Sequence, residues 1–208
     1  MINRFSAIIV NYLLKSRVIN NVEVEKQFYQ YGIEITLSSI INIALILLLG
    51  LISKSVFESV IFLLLFIPIR QFTGGYHAST YLRCNLLFCS LYIVVLMVSR
   101  LTFSYLTTYA VILITFICIL LIWFMCPVEH INKPIPTQRK KHHKLIAAML
   151  GTLYGIISIV LIALSNKYGA LTLYTLLLVT VLVIAAKIFV DKSKTPSHKT
   201  KSNTQENF

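Results

Sequence analysis

The sequence predicts an all-α, polytopic integral membrane protein with about six transmembrane helices. Hydrophobic residues make up 57% of the 208 residues and charged residues only 12%, and several long windows contain no charge. A helix of roughly 20 apolar residues is long enough to cross a ~30 Å hydrocarbon layer. Because most of the chain fits such windows, we expect one membrane domain at 1–190 and a disordered, basic cytoplasmic tail at 191–208.

The N-terminal region, 2–31, is expected to be an amphipathic helix on the membrane surface. Its apolar positions, Ile8 and Tyr12 among them, fall near one helical face, whereas Arg4 and Lys15 lie opposite. A helix with one apolar and one basic face lies in the interface between water and lipid.

Six spans are expected within 35–186. The first, 35–53, holds nineteen residues without a charge, and the second is shorter and contains Glu58 and Pro68. Arg100 closes the third span, and Lys167 separates the last two. In chain order the spans are 35–53, 56–69, 85–99, 101–128, 145–166 and 168–186.

The distribution of basic residues predicts the orientation of these spans. Cytoplasmic connections of membrane proteins collect Lys and Arg. With the N-terminus inside, all 19 Lys and Arg residues fall on the inside except Lys54, Arg100 and Lys167. We therefore expect a multi-pass protein of the bacterial cell membrane with both termini in the cytoplasm.

One cysteine, Cys84, has neighbours that suit covalent chemistry. The segment RQFTGGYHASTYLRC, 70–84, joins the second and third spans at the cytoplasmic face. A cysteine attacks as its thiolate, which needs a nearby base or positive charge. His77 is a candidate base, and Arg70 and Arg83 favour the charged form. The other three cysteines, Cys89, Cys118 and Cys126, lie in or beside apolar runs.

The spacing of His77 and Cys84 requires a bend in the chain. On one continuous helix, seven residues place them roughly 10 Å apart along the axis, too far for proton transfer. Gly74 and Gly75 supply the conformational freedom for a re-entrant or interfacial loop that carries His77 back towards a helix with Cys84 in its N-terminal portion. A lone His and a lone Cys near a membrane surface are more often packing residues or interfacial polar groups than catalytic ones, so these residues alone leave the question of an enzyme open.

Two motifs carry a resemblance to a known family. The order R-x-x-x-G-G-x-H-x-x-x-x-x-x-C is present from Arg70 to Cys84, and 127–134 reads PVEHINKP. Both motifs, the chain length and the six-span pattern resemble the accessory gene regulator protein B family, over nearly the whole chain apart from the tail. That family consists of membrane-embedded cysteine endopeptidases of Gram-positive bacteria that process a quorum-sensing propeptide. The resemblance implies that His77 is the base and Cys84 the nucleophile.

The resemblance also implies a reaction and its partners. Cys84 would release a C-terminal leader through an acyl-enzyme thioester, and a substrate cysteine would then close a thiolactone ring. The expected substrate is a propeptide with an amphipathic N-terminal helix, an internal cysteine and an acidic C-terminal leader. The protein is expected to act in the lipid bilayer as a homodimer, without nucleic acid, metal or cofactor.

Several further residues are candidates for supporting roles. Backbone amides near Gly75 or at the start of the third helix are candidates to stabilise an oxyanion. Candidates to orient His77 are Glu34, Ser79, Asn85 and Glu129, and the sequence does not choose among them. The basic connection 129–144 holds topology determinants that also contact anionic lipid, or else attracts the acidic leader. The full supporting set is Arg70, Gly75, Glu34, Lys133, Arg139, Lys140 and Lys141.

Two other functional hypotheses compete with the peptidase. A small transporter or peptide exporter would also be six-span and basic inside, but would show ionisable residues or broken helices in matched halves, and only Glu34 and Glu58 come near this. The second alternative is a metal site, but the sequence contains neither an H-E-x-x-H nor a paired C-x-x-C motif. Its ligands would come from His77, Cys84, His130, His142 and His143.

Overall fold

The computed structural model describes residues 6, 8–10, 12, 23–74, 81–128 and 137–194, the side chains at 23–28, 81, 137–139 and 192–194 excepted. Within these ranges the chain is helical, with no strands, which confirms the all-α prediction. A short 3₁₀ turn, Phe103–Tyr105, follows the third helix. The helices are α1 (Glu23–Ile52), α2 (Val56–Thr73), α3 (Tyr81–Thr102), α4 (Thr108–Met125), α5 (Thr137–Ala163) and α6 (Lys167–Lys194).

Among the described residues, six helices are long and apolar enough to cross a membrane. The six apolar stretches are 18 to 25 residues long and follow α1 to α6 in order, the third also including the 3₁₀ turn after α3. The expected number of spans is confirmed, and the protein is a multi-pass membrane protein. The apolar stretches are Tyr29–Ile52, Val56–Thr73, Leu82–Tyr105, Thr108–Met125, Lys140–Ala163 and Lys167–Asp191.

Several helix boundaries differ from the sequence prediction. The first span helix, α1, already begins at Glu23, within the segment 2–31 that was expected to form the surface helix. The fourth span was expected from Leu101, but α3 continues to Thr102 and α4 begins only at Thr108. Thr107 caps α4 by accepting a hydrogen bond from the amide of Ala110, which is the usual role of threonine before a helix. No charged residue marks this turn, so the hydropathy pattern runs through it. The fifth helix begins at Thr137, eight residues before the expected start, because Lys, Arg and Gln are good helix formers.

The described chain forms two compact units. The first contains α1, the beginning of α2 through Val60, and α3 through Val94. Inside it, the hydroxyls of Ser59 and Tyr92 form a buried hydrogen bond of 2.7 Å, and Ser59 packs against Gly50. Small residues and buried hydroxyl pairs are typical contacts between helices in lipid.

The second unit contains the remainder of α2, the end of α3 and α4 to α6, with α4, α5 and α6 packed against one another. Its core includes Val111 of α4, Ile162 of α5 and Leu173 of α6. The turn between α5 and α6 is tied by the Ser158 hydroxyl, which donates to the carbonyl of Gly169 at 2.9 Å.

Part of the predicted surface helix is described. Ser6, residues 8–10 and Tyr12 are helical, with Ser6 and Val10 buried and Ile8 and Tyr12 exposed. The Ser6 hydroxyl donates to Glu34 at 3.0 Å, which attaches this region to α1. Its location on the membrane surface stays a prediction, as do the domain limits.

Candidate functional site

The first motif ends α2 with a glycine-dependent turn. Gly74, directly after the last helical residue, has a φ of +73°, a conformation that costs little only for glycine. The Arg70 guanidinium, one turn earlier, donates to the Gly74 carbonyl oxygen at 3.1 Å. An arginine near a helix C-terminus also complements the negative end of the helix dipole. The spacing R-x-x-x-G therefore has a structural explanation: Arg70 stabilises the turn that Gly74 makes possible.

The second motif joins the first through the main chain. The Val128 amide donates to the Thr73 carbonyl at 3.0 Å, and Gly74 and Val128 form an isolated parallel β-bridge. A Cβ atom at Gly74 would overlap the Val128 carbonyl oxygen. Gly74 is thus required both for its φ angle and for the close approach of Val128. The chain entering residue 75 is consequently anchored to the segment that follows α4.

Side chains of α5 extend this junction. The ring of His143 meets Phe72 edge to face, with ring centroids 5.5 Å apart, and the Lys144 ammonium lies 5.0 Å from the Trp123 ring centroid. Cys126, directly after α4, is buried, and this burial raises its pKa to about 12 although Lys144 partly opposes the shift. Such a thiol stays protonated at neutral pH, so Cys126 is a poor nucleophile.

Cys84 lies in the first turn of α3, as the sequence predicted. Its side chain is partly exposed, and so is that of Cys89 one turn and a half further along, whereas Cys118 and Cys126 are buried. The N-terminal end of a helix carries partial positive charge, which stabilises an anion there. Among the four cysteines, Cys84 alone combines access with a position at a helix N-terminus.

The candidate Glu34 is buried, with 8% of its surface exposed. Its Oε1 atom accepts hydrogen bonds from the Ser6 hydroxyl at 3.0 Å and from the Gln30 side-chain amide at 3.2 Å. One turn further along α1, the Ser38 hydroxyl donates to the side-chain oxygen of Asn85 at 3.3 Å. Asn85 follows Cys84 directly, so α1 contacts the turn of α3 that carries the candidate nucleophile.

The structure describes only some of the remaining candidate residues. Gly75, His77 and Lys133 lie outside the described residues, and so does the loop expected to carry His77. Lys140 is partly buried and Lys141 exposed in the first turns of α5, where Arg139 is also helical. These lysines are therefore arranged on a helix rather than in a loop.

A metal site finds no support in the described parts of the chain. No group of three or more His, Cys, Asp or Glu side chains there is arranged to hold an ion. Of the five residues of the metal hypothesis, His77 and His130 lie outside those parts.

Comparisons with known proteins identify the family. The family model described as Accessory gene regulator B matches residues 6–187. The chain belongs to the accessory gene regulator B family. A relative from Clostridium perfringens strain 13, named AgrB-like protein 2, is 28% identical over 177 residues, 81% of each chain. An AgrB-like protein of C. perfringens strain SM101 is 26% identical over 166 residues, 77% of this chain and 78% of its own. No solved structure matches.

Membership of the accessory gene regulator B family supports a role connected with quorum sensing. The match includes both motifs that meet at Gly74 and Val128.

Sequence reasoning did not find the main-chain contact between Gly74 and Val128, because nothing in either motif encodes its partner. Sequence reasoning also did not single out Ser38 and Asn42. With Glu34 they recur every four residues in an apolar span, and this spacing indicates a polar face on the helix.

Proposed function

We propose that this protein is a membrane-embedded cysteine endopeptidase that cleaves the C-terminal leader from a quorum-sensing propeptide and supports thiolactone ring closure. The observation that carries the proposal is the family match, which spans the Arg70-to-Cys84 motif. The position of Cys84, accessible in the first turn of α3, supports its assignment as nucleophile.

The proposed reaction has two acyl transfers. The Cys84 sulfur attacks the scissile carbonyl, His77 takes the thiol proton, and the C–N bond breaks as His77 returns a proton to the leaving amine. The acyl group is then held as a thioester on Cys84. A cysteine thiolate within the substrate attacks this thioester, a new C–S bond closes the ring, and the Cys84 thiolate is released. The exchange of one thioester for another is nearly balanced, so a high effective concentration of the substrate thiol and exclusion of water determine its yield.

Several residues have proposed supporting roles. Arg70 and Gly74 hold the start of the segment that carries His77, and backbone amides near Gly75 stabilise the oxyanion. Lys133, Arg139, Lys140 and Lys141 attract the acidic leader. The proposal also includes both termini in the cytoplasm of a bacterial cell and a homodimeric assembly.

The test is cleavage of a propeptide by the full-length protein in lipid vesicles. Either Cys84→Ser or His77→Ala should abolish cleavage while membrane insertion is unchanged. Cys89→Ser is the matched control, because Cys89 lies in the same helix and is also partly exposed. Unchanged cleavage by Cys84→Ser would overturn the proposal. A propeptide transported intact by the wild-type protein would favour an exporter instead.

A further inference from the structure

A row of polar side chains follows one face of α1 inside the first unit. Glu34, Ser38 and Asn42 are spaced four residues apart, which places them on the same helical face at intervals of ~6 Å. Glu34 and Ser38 are 8% and 7% exposed. Together with Asn85 of α3, which Ser38 contacts, they are called the polar track. Polar groups buried in a span are costly, so their recurrence at one face requires an explanation.

Two residues of the polar track, Glu34 and Ser38, are explained by contacts within the protein. Glu34 accepts hydrogen bonds from Ser6 and Gln30, and Ser38 donates to Asn85. These pairs attach the N-terminal region and α3 to α1. They account for the presence of Glu34 and Ser38 without any ligand.

Asn42 is different. Its side-chain oxygen is buried and has no hydrogen-bond partner among the described residues. A residue that served only to hold helices together would be paired, because an unpaired acceptor in lipid gains nothing for the packing. Asn42 lies near the middle of the apolar stretch Tyr29–Ile52, where water does not replace the missing donor. The oxygen therefore suits a donor that arrives with a ligand.

A peptide substrate brings such donors. Main-chain N–H groups of an extended peptide are unpaired, and within a membrane they need an acceptor from the protein. The Ser38–Asn85 contact places the polar track beside the residue that follows Cys84. Asn42 is one turn, ~6 Å, further along α1, a distance that an extended chain covers in about two residues.

We infer that Asn42 forms a substrate subsite at the end of the polar track, where its side-chain oxygen accepts a hydrogen bond from a main-chain N–H of the propeptide, within about four residues of the scissile bond. This inference rests on the proposed function. The recognised N–H lies on the acyl side of that bond, because this part of the substrate must stay bound after the leader has left. Asn42 is thus a positioning residue for the peptide attached to Cys84.

Kinetics of the full-length protein in lipid vesicles test the inference. Asn42→Leu should raise KM for propeptide cleavage about tenfold and change kcat less than twofold, since one hydrogen bond to the bound peptide is lost. Asn42→Gln, which keeps an amide oxygen, should recover part of this loss. Ser39→Ala is the matched control: Ser39 is exposed on the next face of α1, and its hydroxyl donates to the carbonyl of Ile35 in its own helix. It should leave both constants unchanged.

Substrates with single backbone changes separate recognition from folding. In a series of propeptides, each amide on the acyl side is replaced in turn by an ester, which removes one N–H. Wild type should lose about tenfold in kcat/KM at one position, and Asn42→Leu should lose nothing further there. Equal losses in both proteins at every position would overturn the subsite. Cleavage that survives Cys84→Ser would instead overturn the proposed function, and the inference with it.

Discussion

Gly74 and Val128 are joined through their main chains, so that the two motifs of this family meet at the cytoplasm-proximal end of α2 as the sequence orients it. The turn depends on the left-handed conformation of Gly74 and on the absence of a side chain facing Val128. The segment that leads to His77 therefore starts from a fixed point.

Replacement of Gly74 by alanine should destabilise the protein and impair cleavage. The left-handed φ alone costs a non-glycine residue about 1–2 kcal/mol, and the new Cβ would also displace the Val128 carbonyl. Thermal unfolding in detergent and propeptide cleavage measure the two effects. Gly32→Ala is the control, because no atom lies within 4 Å of a Cβ at that site on α1. A Gly74→Ala protein as stable and active as Gly32→Ala would contradict the structural role of the turn.

The contact between α4 and α5 should be equally selective for a small residue. A Cβ at Gly155 would overlap the side chain of Thr115, whereas one at Gly151 would meet the Ile122 side chain at an ordinary 3.5 Å. Gly155→Ala should lower the free energy of unfolding by about 1–3 kcal/mol through overpacking, and Gly151→Ala should have little effect. Unfolding in detergent compares the pair. Equal stability of the two variants would show that α4 and α5 are not packed as described.

Labelling of Cys126 by a thiol reagent should be slow over a wide pH range. The pKa of Cys126 is raised to about 12, so its protonated form persists, and at pH 8 on the order of one thiol in ten thousand is ionised. Labelling of Cys126 by iodoacetamide should stay slow up to pH 9 and increase only as the pH approaches 12. Peptide mass spectrometry after timed labelling identifies the modified residue. Rapid labelling of Cys126 at pH 8 would contradict its burial.

The lysines at the start of α5 should act on substrate binding through charge. The double variant Lys140→Gln, Lys141→Gln should raise KM several-fold at low ionic strength, and the difference from wild type should shrink as salt is added, because salt screens such attraction beyond ~10 Å at 0.1 M. Lys54→Gln, in the turn between α1 and α2 that is predicted to lie on the outer side of the membrane, is the control and should have no such effect. If cleavage by the double variant equals wild type at every ionic strength, these lysines do not attract the leader.

Hydropathy and charge predicted the large-scale fold because lipid imposes uncharged stretches of a set length. The same pattern misplaced the start of α4, since Leu101 to Thr107 contains no charge and only the cap at Thr107 marks the turn. The nucleophile candidate could be recognised from local sequence: Cys84 has arginine neighbours and a histidine one short segment away. The pairing of Gly74 with Val128 could not, because it joins main-chain atoms of segments separated by two spans. The partner of Ser38 was equally hidden, since any of several spans could have supplied it.

The most direct test of the account is to trap the acyl-enzyme. A propeptide whose internal cysteine is replaced by alanine has no nucleophile for ring closure, so the acyl group should accumulate on the enzyme after the leader has left. Intact-mass analysis of the full-length protein in lipid should then show an added mass equal to the propeptide without its leader, located on Cys84 and removed by hydroxylamine. The account predicts this adduct in wild type and none in Cys84→Ala. Leader release without any adduct, or an adduct on another residue, would contradict it.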